Sequence, residues 1–202
     1  MKLNILYLLL AIYTTMGCNN SPSATHKAEN PGNTTQQKHE ETDNTFEDQE
    51  IVAQIAKVKH EKVYTAEEME AFFPEQLAGI GITDILSIPN NQTSVGNYTL
   101  NHNKKIEVFL SDGGGEHGET FIRHFMGVSK QPYKQTNGNN YTKPVTEGGI
   151  KASEYYRDYE QKYEMTFFLP ERFGIIFRSN GLNRDEAWEA IHTFIAHLKQ
   201  NQ

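Results

Sequence analysis

The 202-residue chain holds one cysteine, one tryptophan and no apolar run long enough to cross a bilayer as a helix. A lone cysteine excludes an intramolecular disulfide framework, a multi-cysteine zinc ribbon and an iron–sulfur site. The longest apolar stretch, Leu3 to Tyr13 broken only by Asn4, spans 11 residues, against the ~20 that a spanning helix needs. Basic residues are in the minority: 19 Lys and Arg against 26 Asp and Glu leave a net charge of −7. A nucleic-acid binder would need the opposite balance. Gly-x-Ser-x-Gly, His-Glu-x-x-His and a Gly-Lys-Ser/Thr phosphate loop are all missing, so no cofactor is implied. What the chain does have is an aromatic content of 11%, enough for the core of one ordinary domain.

Residues 1–17 carry Lys2 as their only charge, then the short apolar run, then Thr15-Met16-Gly17 ahead of Cys18. These are the proportions of an export signal with a short basic head and an apolar middle. The segment Thr15-Met16-Gly17-Cys18 resembles the lipobox of bacterial lipoproteins, with Thr15 where that family usually has a leucine. The resemblance implies removal of 1–17 and lipidation of Cys18, which becomes the new N-terminus. Acyl chains on one residue would meet the two-signal requirement for stable anchoring, so the chain is expected to be held at a membrane and not to span it. Lipidation also gives the single thiol of an exported chain a use. Asn19 in place of Asp after the cysteine is compatible with the outer membrane of a Gram-negative cell envelope.

Residues 18–50 read as a tether. From Asn19 to Glu50 only Phe46 is large and apolar, and two Lys face seven Asp or Glu. Such a stretch cannot bury enough surface to offset the entropy of ordering. A flexible coil of this length reaches roughly 30 Å. Once tether and signal are set aside, residues 51–202 have a net charge of only −3.

The remainder reads as a single α+β globular domain. Ile51, Ile55 and Val58 fall at helical spacing. Thr65 to Glu68 has the form of a capping box ahead of Met69, Phe72 and Phe73. Ile80–Ile88 reads as a strand closed by Pro89-Asn90-Asn91, and Val95–Leu100 with Lys105–Ser111 as a hairpin. The glycine-rich Asp112–Gly118 leads into a helix through Phe121, Ile122, Phe125 and Met126. Residues 129–144, with Pro132, Gly138 and Pro144, read as a long mobile loop. Ile150–Tyr156, Tyr163–Leu169 and Phe173–Ser179 then alternate as a three-strand meander. A closing amphipathic helix from Asn183 buries Ala187, Ile191, Phe194, Ile195 and Leu198. The expected fold is a largely antiparallel β-sheet packed by helices, including that C-terminal one. This order of elements resembles the PsbP-like sandwich of several bacterial lipoproteins. Three segments are also similar to uncharacterised bacterial lipoproteins: Phe73-Pro74-Glu75-Gln76-Leu77-Ala78-Gly79, Lys104–Asp112 and Glu171–Phe177. Neither resemblance implies an activity.

Three groups of residues are candidates for function. Glycines between a strand and a helix can point N–H groups at an anion, but Asp112, Glu116 and Glu119 would repel phosphate, so a turn is the simpler reading. Asp112, Glu116, His117 and His124, with His102, could form a metal site for a hydrolase, yet their spacing matches no known ligand pattern. Tyr155, Arg157 and Tyr159 suit an interaction surface, unless alternate tyrosines face the core while acids and Arg157 face water. Trp188 reads as a residue at the boundary of the core. Two function classes follow: a non-catalytic envelope lipoprotein that binds a protein or a small apolar ligand, and a metal-assisted hydrolase using the Asp112–His124 region.

Overall fold

The Asp48 carboxylate accepts a hydrogen bond from the Glu50 N–H and so caps α1 (Gln49–Val58). This helix thus begins ahead of Ile51, because an acidic N-cap can open a helix whose first apolar residue comes three positions later. The computed structural model describes residues 48–88, 92–170 and 172–202. The segments expected to be signal peptide and tether, with Cys18, lie outside the described residues but for 48–50, as do Pro89-Asn90-Asn91 and Glu171. The chain divides into two units, 1–44 and 45–202, and all described residues fall in the second.

The elements after α1 are α2 (Ala66–Glu70), β1 (Gln76–Leu77), β2 (Ile80–Ile88), β3 (Thr93–Asn101), β4 (Lys104–Asp112), α3 (Glu119–Lys130), β5 (Gln135–Asn137), β6 (Asn140–Glu147), β7 (Ile150–Arg157), β8 (Lys162–Leu169), β9 (Phe173–Asn180) and α4 (Arg184–Gln200). All nine strands form one antiparallel sheet in the order β1-β2-β3-β4-β9-β8-β7-β6-β5. The fold is therefore α+β, as the strand alternation and capping pattern predict.

Alternation along the strands sorts the core into two layers. Met165, Phe167 and Leu169 of β8, and Phe173, Ile175 and Phe177 of β9, join α2 and α4 in the larger cluster. Phe168 points the opposite way and meets Ile51 and Val58 of α1 and Ile122 and Met126 of α3. A Cβ at Gly174 would collide with the ring of Phe125, so glycine there is what allows α3 to lie directly on the sheet. Capping boxes start α2 (Thr65 with Glu68) and α4 (Asn183 with Glu186), each satisfying two orphan N–H groups.

Residues 129–144 are not one long loop. β5 and β6 form a hairpin there, turning at Gly138 (φ 60°), and β6 continues through Pro144 to Glu147. β5 reaches only Thr142, so Pro144 lies on a free outer edge where its missing N–H costs no ladder bond.

Candidate functional site

The most recessed cavity lies at one end of the sheet, where the β6–β7 and β8–β9 turns meet α1, α3 and α4. Its volume is about 410 Å³, within the range of small-molecule sites. Met126, Ile150, Phe168, Leu169, Pro170 and Ile195 give it an apolar floor, and Lys130, Lys151, His192 and Lys199 stand among its other lining residues. Lys130 bridges Asp48 and Glu50 at 2.8 and 2.7 Å. Burial weighs against its charge, but hydrogen bonds to those two carboxylates outweigh it and raise its pKa above the ordinary lysine value. Lys151 is exposed and has no partner among the described residues. An apolar floor with the Lys151 ammonium at its edge suits a ligand that is apolar at one end and anionic at the other.

A buried carboxylate lies midway along β7. Glu154 of β7 is 0% exposed. It accepts from Arg184 Nε at 3.0 Å, Trp188 Nε1 at 3.1 Å and Tyr141 Oη at 2.8 Å, with Lys143 Nζ 3.3 Å away. Burial pushes its pKa up, but the bonds from Arg184, Trp188 and Tyr141 prevail and hold it below the usual glutamate value. The expectation that acids of this strand face water fails at Glu154. Tyr155 and Arg157, in strict alternation with it, take the opposite face. Both Glu154 oxygens accept internally, and Glu154 fastens α4 to the sheet.

Asp112 is likewise committed. Its two oxygens receive Arg172 Nε and Nη2, both at 2.6 Å, and also accept from Gly114 N and Tyr64 N. Arg172 further donates to Glu61 and to the Lys62 carbonyl and lies 4.4 Å from the Tyr64 ring centroid. Its own burial opposes its charge, and hydrogen bonding and attraction from Asp112 overcome that and raise its pKa. The glycine loop is a clasped turn: Gly113 N bonds Arg172 O, Gly115 N bonds Val58 O, and Gly114 N bonds Asp112. Those three N–H groups are not free for an anion.

The metal-site grouping does not assemble. His117 and Glu116 are exposed on the loop, and His124 is exposed on α3 against Phe125. His102 sits on the β3–β4 turn, at the other end of β4 from Asp112. Among the described residues no three His, Cys, Asp or Glu side chains are placed to hold a metal.

Tyr155, Arg157 and Tyr159 do come together. Arg157 Nε donates to Tyr155 Oη at 2.7 Å, and Nη1 reaches Glu160 at 2.8 Å and Tyr159 Oη at 3.4 Å. Hydrogen bonds to Glu160, Tyr155 and Tyr159 raise the pKa of Arg157. Tyr156, on the other face, packs its ring 4.5 Å from that of Tyr163.

The fold is an antiparallel α+β domain with a cleft at one end of its sheet. No family model matches the chain, and neither a curated protein nor a solved structure matches it.

Proposed function

We propose that this is a lipid-anchored cell-envelope protein whose domain binds a small amphiphile, apolar at one end and anionic at the other, without catalysing its conversion. The observation that carries the reading is the 410 Å³ cleft with its apolar floor and lysines. The commitment of Asp112 to Arg172 leaves the metal-hydrolase reading without its central ligand.

Dodecanoate, displacing the fluorescent probe anilinonaphthalene sulfonate, tests this directly. The full chain is expected to bind it saturably. Ile150→Trp, which fills the cleft from its floor, should weaken binding about tenfold or more, and Lys151→Glu by several-fold. Equal affinity in parent and Ile150→Trp would remove the cleft as the site.

Anchoring rests on the Cys18 context, and among the described residues no helix is long and apolar enough to cross a membrane. Cys18→Ser is expected to move the protein from the membrane to the soluble fraction of bacterial cells that export it. Continued partitioning of that variant into membranes would refute lipidation as the anchor.

A further inference from the structure

At the opposite end of the sheet from the amphiphile cleft, three connections converge. They are the β3–β4 turn (residues 101–104), the 3-10 turn at Asp158–Glu160 with Gln161, and the Asn180-Gly181 link into α4. Between them lies an open groove of about 820 Å³. We propose that this groove binds a neutral oligosaccharide, with the Tyr159 ring as a stacking platform and the amides of Asn103 and Gln161 reading hydroxyl groups.

Tyr159 is 78% exposed, the most of any large apolar side chain among the described residues. Its hydroxyl nonetheless accepts from Nη1 of Arg157 at 3.4 Å, whose Nε in turn holds Tyr155. An aromatic ring fixed by its polar end and left open to water along its body offers contact area with little further entropy to lose on binding. The faces of a sugar ring, lined with C–H groups, fit such a surface.

The polar groups around it point to a ligand without charge. Lys104 pairs with Glu186 at 3.4 Å and Glu160 with Arg157 at 2.8 Å. Asp158 accepts from Asn139 and Tyr156. By contrast, the side chains of His102, Asn103 and Gln161 make no hydrogen bond among the described residues. An amide both donates and accepts, as a sugar hydroxyl does, so each can satisfy the other in either sense. A wholly apolar ligand would strand these groups, and an anionic one meets the Asp158 carboxylate while Lys104 is already paired.

The walls are set before any ligand arrives. Gln161 takes a left-handed conformation (φ 45°) that non-glycine residues adopt at some cost. It is held there by its N–H to Asp158 O and by Gly181 N to its own carbonyl. Gly181 (φ 69°) lets the β3–β4 turn close in, since a Cβ would collide with the Asn103 carbonyl oxygen. The Asn180 amide bonds Glu160 O at 3.4 Å and joins the remaining two walls.

Isothermal titration of the full chain with chitotetraose and with maltotetraose tests the proposal. Saturable binding of at least one is expected, weakened about tenfold in Tyr159→Ala and retained in Tyr159→Trp. Tyr159 is exposed, so unfolding is not expected in either variant, and circular dichroism checks this. Gln161→Gly keeps the left-handed backbone while removing the amide, and should also weaken binding. Two results would overturn the proposal: no saturable binding of either sugar up to about 10 mM, or an affinity in Tyr159→Ala within twofold of the parent. Dodecanoate binding at the other end of the sheet should be unchanged in Tyr159→Ala, which separates this proposal from the amphiphile reading.

Discussion

Replacing Arg172 with alanine is expected to destabilise the domain by about 3–5 kcal/mol, because it leaves the fully buried Asp112 carboxylate without its counter-charge. The bidentate pair joins the last residue of β4 to the first residue before β9, and the same guanidinium holds the chain between α1 and α2 through Lys62 O. Its contact with Glu61, a partly exposed carboxylate, adds little. Denaturant unfolding of the variant measures the loss. Arg172→Lys should recover only part of it, since an ammonium cannot present two parallel donors to one carboxylate. A loss below about 1 kcal/mol would mean that Asp112 finds other partners and that the clasp is dispensable.

The second large effect is at Glu154. Glu154→Ala is expected to cost about 2–4 kcal/mol, because Trp188 Nε1 and Tyr141 Oη lose their acceptor and Arg184 its counter-ion. The loss also depends on pH. The folded pKa lies below the usual value, so this contribution is complete above the unfolded carboxylate pKa of about 4.3 and fades as pH falls through the folded value. The stability difference between parent and Glu154→Gln should thus be flat from about pH 5 to 7 and shrink below about pH 4.5. A difference that stays constant down to about pH 3 would show that folding does not lower the Glu154 pKa.

These two clusters also show what a linear reading of the chain can and cannot recover. The capping boxes at Thr65 and Asn183 were legible because every group involved lies within one turn. The meander was legible because Tyr163, Met165 and Phe167 alternate with Lys162, Glu164 and Thr166, and one face of a sheet must be covered. Glu154 was not, since its partners Arg184 and Trp188 lie 30 and 34 positions away and nothing in Glu-Tyr-Tyr-Arg fixes which residue turns inward. Asp112 and Arg172 are 60 positions apart. The β5–β6 hairpin was hidden by its own composition: an edge strand with little to bury carries no alternating apolar signal. The cleft draws its floor from α3, α4 and two strand turns, so no single segment announces it. Of the residues singled out beforehand, Tyr155, Arg157 and Tyr159 do meet, and Asp112, His117 and His124 do not.

The strand order bears on how the chain assembles. Every pairing in the sheet but one joins strands consecutive in the chain, the exception being β4 with β9. Two locally connected ribbons, β1 to β4 and β5 to β9, therefore meet along one seam whose register matches Lys105 with Asn180 and Asp112 with Phe173. Short-range closure makes each ribbon quick to form, while the main loop-closure entropy of the sheet falls on that seam. Arg172 and Asp112 sit at its end, so the salt bridge that stabilises the finished domain also marks where its two halves must find each other.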